Sequence, residues 1–279
     1  MKIQNLLKSK SLLQQLTEQA VTKQISESKE IENHTEITNE WKYEPHSQLG
    51  SNPGGLFIDP NGKKHYIKFY KNPKQVESEY AATMVHKLMG VRVLDIKIVI
   101  CENDEFVEDY SFRGIHKGSL GILSPWNSGL KVLGDRFYQI NKQDAEHLGR
   151  SYIAAILCEN WDIIGLEIDN QVRDTATKEL ISVDHGGSFH FRAQGGAKNF
   201  EHDDIASHKT LRQFEPASNV FNYVFEKFPE AEHNAVAMLH MIHHEDLVTI
   251  FREAGFANAG HMADVVMSRV ERLLEHYSH

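Results

Sequence analysis

The apolar positions of this chain change period three times. In "NLLKSKSLLQQLTEQAVTKQI" the leucines at 6, 7, 12, 13 and 16 recur at helical spacing and predict a helix. The polar run "SESKEIENHTEITNE" then has too little apolar surface to bury and reads as linker or weak helix. Residues 1–42 are therefore expected to form an arm. From residue 43 the pattern becomes strand-like. "LGSNPGGLFIDPNGKKHYIKFY" reads as strand, glycine-rich turn, strand, "DPNG" turn, strand. "NPKQVESEYAATMVHKLMGV" predicts a helix capped by Asn72, with Pro73 in its first turn and Gly90 at its end. "VRVLDIKIVICEN" and "SFRGIHKGSLGILSPW" add strands, so 43–126 reads as a small sheet with one helix. After a joint near "LSPWNSG" the period lengthens. "NKQDAEHLGRSYIAAILCENW" is an amphipathic helix, "NQVRD" and "LISVDH" are short strands around "TATKE", and four more helical stretches close the chain. The reading is α+β: an arm (1–42), a β-rich lobe (43–126) and a helical lobe (127–279).

Composition narrows the function. At 279 residues the chain can bury a real core, and 41% hydrophobic with 25% charged residues suits a globular protein. A net charge of −9 argues against nucleic-acid binding by bulk attraction to phosphate. Cys101 and Cys158 lack metal-type spacing and sit in apolar stretches, where they read as small core residues. No run of about 18 apolar residues predicts a membrane span. Lys2, Lys8 and Lys10 are not followed by a long apolar stretch, so no Sec-type signal peptide is expected. Of the seventeen histidines, His240, His243 and His244 cluster, but the zincin pattern is absent and a polar helix end is expected.

The chemistry is carried by five features in order. Gly50-Ser51-Asn52-Pro53-Gly54-Gly55 lies between strands, where glycines let backbone N–H groups approach phosphates. Lys68 follows on a strand, on the opposite face from Ile67 and Phe69. Glu79 on the next helix can hold Lys68, with Glu77 as a competitor. "NWDIIGLEIDN" carries Asp162, Glu167, Asp169 and Asn170, more carboxylates than a buried strand tolerates. "SVDHGGSF" supplies Asp184. A hard cation on a triphosphate takes oxygen ligands, which Asn170 and Asp184 can provide across a short hairpin, while Asp162 orients or deprotonates a hydroxyl. Each feature alone is weak. Their order matches the parts needed for phosphoryl transfer.

On these residues the chain resembles divergent members of the protein-kinase-like superfamily. "NWDIIGLEIDN" is similar to the catalytic loop of type II phosphatidylinositol 4-kinases and toxin-type serine kinases. "LGSNPGGLFI", "YIKFY", "ESEYAA" and "VDHGGSFHFRAQGGAK" resemble a group of bacterial effector, toxin and phage-associated kinase-like domains, over residues 46–275. The resemblance implies a bilobal protein-kinase-like fold. ATP would lie under Gly50–Gly55, and Lys68 would contact its phosphates and pair with Glu79. Asp162 would be the catalytic acid–base group, and Asn170 and Asp184 would hold Mg²⁺ or Mn²⁺. Adenine would be received by backbone of "GILSPW", around Leu123. The acceptor implied first is a Ser/Thr hydroxyl of a protein, plausibly in a host cell; a phosphoinositide is second. Nucleotidyl transfer and a silent nucleotide-binding site are the other readings. The compartment implied is the cytoplasm of the producing cell or, without a Sec signal, a host cell.

The chain also departs from that pattern. There is no His-Arg-Asp. Asp162 and Asn170 are eight residues apart rather than five, so either a bulge absorbs the excess or Glu167 or Asp169 works instead. His185 stands where Phe usually follows the metal-binding aspartate, and no Ala-Pro-Glu follows. Lys63, Lys64, Lys68, Lys71 and Lys74 form a basic cluster, a solvated edge or a site for an inositol phosphate or other anionic activator. Arg192 and Lys198 can also serve a phosphate, and Trp126 and Trp161 are expected to pack at the lobe joint.

Overall fold

The computed structural model describes residues 34–200 and 204–278. The leucine-spaced helix expected near the N-terminus lies outside them. Strands β1 (Thr35–Ile37), β2 (Lys42–Glu44), β3 (Gly54–Ile58), β4 (Lys64–Phe69), β5 (Lys97–Cys101) and β6 (Leu120–Pro125) form one sheet in the order β1-β5-β6-β4-β3-β2. All neighbours are antiparallel except β1 and β5. Two differences from the sequence reading appear here. The stretch read as linker supplies β1, because Ile37 is fully buried and extends the sheet beside β5. "DEFVEDY" forms helix α2 (Asp104–Tyr110), with Asn103 accepting the Phe106 N–H as its cap. Its short apolar face, Phe106 and Tyr110, stacks with Tyr43, Phe57 and Phe69 in an aromatic core. Three apolar residues in seven, Phe106, Val107 and Tyr110, give too weak a period to predict a helix; aromatic burial stabilises it.

Helix α1 (Pro73–Leu88) starts as its sequence predicts, with Asn72 accepting from Lys74 N–H and Pro73 at the first turn. It is buried on most of its circumference, polar residues included: Ser78, Glu79, Thr83 and His86 are all inside. It lies between the sheet and the helical lobe, touching β6 on one side and the long central helix α3 (Lys142–Cys158) on the other. α3 carries an Asn141–Asp144 capping box and is buried almost throughout.

The chain crosses between lobes through Trp126–Gly129 and enters a second sheet of β7 (Leu130–Val132), β8 (Gln171–Asp174) and β9 (Leu180–Ser182). Around α3 pack α4 (Ser207–Gln213), α5 (Ala217–Lys227) and α6 (Glu230–Ala237), while α7 (His244–Glu253) packs on α1 and on α8 (Ala259–Tyr277), which itself touches α3. Cys101 and Cys158 are buried free thiols, and burial pushes both upward in pKa. The histidine cluster divides: His243 precedes α7, and His244 pairs with Asp264 at 2.9 Å. Among the described residues no helix is long and apolar enough to cross a membrane.

Candidate active site

The register of β4 sets the first side chain. Ile67 and Phe69 are fully buried in the aromatic core, so Lys68 projects from the other face into the space between the lobes. There its ammonium lies 2.9 Å from Glu79 Oε2 on α1 and 2.9 Å from Asp184 Oδ1 beyond β9. Glu77 points elsewhere, toward the corner at Gly255. Lys68 is thus removed from the basic cluster, and Lys64 is taken by Glu44 at 2.6 Å.

One cation between two carboxylates leaves a surplus negative charge. Burial opposes the charge on Lys68, yet Asp184 and Glu79 outweigh it and hold the lysine firmly protonated. Lys68 in turn holds Asp184 below the usual carboxylate range. Glu79 carries the surplus: burial pushes it up to about 7, against the pull of Lys68. Gly186 makes room for this group. A Cβ there would sit 3.2 Å from both Glu79 Oε2 and the Tyr70 hydroxyl.

Asn170 and Asp184 are brought together by the β8–β9 hairpin. Gln171 pairs with Ser182, so the residue before one strand and the second residue after the other emerge side by side, and Val183 N–H donates to Asn170 C=O at 2.9 Å. Upstream, a tight loop absorbs the three extra residues between Asp162 and Asn170. Asp162 C=O accepts from Gly165 N–H at 3.0 Å, and Asn170 N–H donates to Ile164 C=O. Asn170 Nδ2 closes the loop onto Asp162 C=O at 2.6 Å. Glu167 and Asp169 lie on its exposed rim. Asp162 is half-buried, and its carboxyl is raised to about 6, by burial first and then by repulsion from Asp184 and Asp169.

The cleft between the lobes encloses about 490 Å³, a size suited to a small-molecule ligand. Lys68, Glu79, Asp184, Ile122, Ser124 and Trp126 are among its walls. The Leu123 side chain points into the aromatic core, while alternation on β6 gives the cleft the side chains of Ile122 and Ser124; the expectation at Leu123 concerned its backbone. One expectation is corrected here. Gly54 and Gly55 belong to β3, paired with Lys68 and Ile67, leaving Gly50, Ser51 and Asn52 in the loop that follows β2. That loop is fastened from below. The Tyr66 hydroxyl donates to Leu49 C=O at 2.6 Å and accepts from Leu49 N–H at 2.8 Å, while Arg113 donates to Ser51 C=O. Tyr66 was legible two residues before Lys68 on the same strand face; Arg113, 62 residues from Ser51, left no sequence signal.

His185 turns under α1, with Nδ1 3.1 Å from Thr83 Oγ1, Nε2 3.2 Å from Ser182 Oγ, and its ring 4.2 Å from that of His86. Trp126 lines the cleft as expected. Trp161 is 41% exposed beside Asp162 rather than packed at the joint, because its indole N–H is drawn to Ser207 Oγ.

Against solved structures, the chain is similar to the Helicobacter pylori proinflammatory kinase CtkA, at 11% identity and a TM-score of 0.52, over 86% of this chain and 94% of that one. The fold is protein-kinase-like. Its curled sheet is the β-rich lobe of that architecture, and α3 to α8 build the helical lobe. The Leishmania major MAP kinase LmaMPK10 aligns over 93% of this chain and 87% of its own, at 10% identity and a TM-score of 0.28. No family model matches the chain, and no curated relative does.

Proposed function

We propose that this chain is an ATP-dependent phosphotransferase acting on a Ser/Thr hydroxyl of a protein. The observation that carries the reading is the Lys68 ammonium held at 2.9 Å by both Glu79 and Asp184 on the wall of the inter-lobe cleft. A lysine so fixed presents its charge to a triphosphate without paying reorganisation at the moment of reaction.

The donor set suits a divalent cation. Asn170 spends its amide N–H on Asp162 C=O and keeps Oδ1; Asp184 spends one oxygen on Lys68 and keeps the other. One amide oxygen and one carboxylate oxygen, completed by phosphate oxygens, are ligands that Mg²⁺ or Mn²⁺ accepts. When bound, the ion would neutralise charge on the phosphates. The chain's own residues do the rest. Lys68 orients the nucleotide phosphates, and the loop carrying Gly50, Ser51 and Asn52 covers them. Asp162 receives the acceptor proton as the hydroxyl oxygen bonds to the γ-phosphorus and the bond to the β-phosphate oxygen breaks, releasing ADP. Asp162, with a carboxyl near 6, is ionised and basic enough for that role at neutral pH.

The neighbour from Helicobacter pylori is described as proinflammatory. That description supports a host-cell protein as the first acceptor to test and the host cell as the site of action.

The test is label transfer. The chain is incubated with Mg²⁺ or Mn²⁺ and ATP labelled at the γ- or the α-phosphate, with and without a eukaryotic cell extract, beside Lys68→Ala and Asp184→Ala. Transfer of γ label that both variants lose is expected. Transfer of α label would mean nucleotidyl transfer, and ATP binding without any transfer would mean a silent site; either overturns the reading.

A further inference from the structure

The loop from Asn160 to Asn170 contains no basic residue. Two cations reach its Asp162 end from elsewhere. The segment after Asp184 folds into a tight hairpin through the Phe191–Ala197 bridge, with Lys198 N–H donating to His190 C=O and Arg192 N–H to Gly196 C=O. The hairpin lays Arg192 and Lys198 over the same ring, Trp161, at 5.4 and 5.6 Å.

Neither cation is neutralised by a described carboxylate. Lys198 donates to the carbonyls of Glu159 and Gly187, which leaves its third proton uncommitted. The Glu159 carboxylate is taken by Arg269 at 2.9 Å. The Arg192 guanidinium makes no side-chain hydrogen bond or ion pair among the described residues, only the ring contact. Burial lowers Lys198 to about 8, as expected for a cation short of an anion. With Asp162, Gly187 and Ala193 these groups line a cavity of about 210 Å³ that shares no wall residue with the nucleotide cleft. Trp161 and Asp162 also line an apolar trough of about 470 Å³, walled further by Ile164, Leu211, Phe214 and Pro216.

We propose that the Arg192–Lys198–Trp161 cavity is an acceptor subsite that takes an anionic side chain, a carboxylate or phosphate, flanking the hydroxyl to be phosphorylated in a peptide. The inference rests on the kinase reading and adds the acceptor's chemistry to it. Position separates this subsite from the nucleotide: Lys68 and Asp184 lie in the cleft, whereas this cavity opens beside Asp162 alone. A peptide is favoured over a lipid headgroup because Asp162 and Trp161 line both cavities, one cationic and one largely apolar. An extended segment fills both, with an anion on one side of the hydroxyl and an apolar side chain on the other. Glu215 in the trough and the net charge of −9 both oppose an anionic membrane surface.

Binding is measured directly, so that failed catalysis and a failed subsite remain distinguishable. A fluorescein-labelled serine-centred peptide library is titrated into the full chain, with Glu, Gln or phosphoserine at each flanking position and Leu or Ala on the far side. Charge-assisted hydrogen bonds to two cations predict about tenfold tighter binding for Glu than for Gln at one flanking position. Arg192→Gln, an exposed change, should remove most of that preference, and Lys198→Met should do the same. Phosphoserine binding where Glu does not would assign the subsite to a pre-phosphorylated acceptor. Equal binding of Glu, Gln and phosphoserine peptides at every flanking position overturns the proposal. So does binding confined to phosphoinositide vesicles and lost in Arg192→Gln, which would make the anion a lipid headgroup. Absence of phosphoryl transfer with the charge preference intact would count against the kinase reading and not against the subsite.

Discussion

Asn170 donates its side-chain amide to the backbone carbonyl of Asp162 over 2.6 Å, and that bond turns an eight-residue separation into a closed loop. The candidate base and the candidate metal ligand are therefore one mechanical unit. What one loses in position, the other loses too.

Two substitutions test this coupling. Asn170→Ala removes the closing bond and an oxygen ligand, so label transfer should fall by at least about a hundredfold, with a modest loss of melting temperature because Asn170 is buried and its bond to Asp162 C=O is lost. Gly165→Ala removes no proposed ligand atom, although its Cβ would sit 3.1 Å from Asn170 Cγ. Its φ of +76° and a Cβ placed 2.1 Å from Asp169 Oδ1 would force the loop open. It should lose activity in the same manner. Native activity in Gly165→Ala would show that the loop does not position Asp162.

The acid limb of the pH profile follows from Asp162. As a base it works ionised, and burial with two carboxylate neighbours raises it to about 6. Transfer should therefore fall about tenfold per unit below pH 6 and level off above it. Asp162→Asn should lose about 10²–10⁴-fold in kcat. An unchanged limb in Glu167→Gln, and one moved to lower pH in Asp169→Asn as its repulsion of Asp162 is removed, would leave Asp162 as its source, whereas loss of activity in either would return the role to the loop rim.

The periodicity of the chain made much of this legible, and particular residues show where it stopped. Lys68 could be placed because Ile67 and Phe69 flank it on a strand, and strand alternation is a local rule. Asn170 and Asp184 could be paired because a short hairpin has few registers. Asp162 could be suspected but not separated from Glu167 and Asp169, since the loop closure depends on one side-chain bond. β1 and α2 were missed because one has a single apolar residue and the other three in seven, and tertiary burial rather than pattern holds them.

Glu79 gives the Lys68 variant an unusual stability profile. Lys68→Met leaves a buried carboxyl already raised to about 7 with the lysine present. Without the ammonium it rises further. A carboxyl whose folded pKa exceeds its unfolded value binds more protons in the folded state, so its contribution is complete below the unfolded value and is lost as pH rises through the folded one. Lys68→Met should thus be clearly more stable at pH 6 than at pH 8, and Lys68→Met/Glu79→Gln should flatten that difference. Urea midpoints across this range decide it; parallel curves for the single and double variants would mean that Glu79 is not the responsible group. Label transfer should be lost in both.

Acid stability should be limited by histidines buried in neutral form. His86 is fully buried on α1, with Nδ1 2.7 Å from Ala82 C=O, and burial lowers it from 6.5 to about 4. His147 on α3 lies 3.3 Å from Gln171 Oε1, and burial lowers it to about 3, with Arg92 and Arg150 adding repulsion that Asp144 only partly offsets. The unfolded chain takes up these protons near pH 6.5 and the folded chain refuses them until pH 4 or below. Between those limits the unfolded state binds more protons, so stability falls as pH falls. At about 1.4 kcal/mol per pKa unit, His86 alone withdraws about 3 kcal/mol across that window. His86→Phe, which fills similar volume without a titrating group, should show a shallower loss of urea midpoint between pH 6.5 and 4 than the parent chain, whatever its stability at pH 8. A slope identical to the parent's would locate the acid sensitivity in the carboxylates instead.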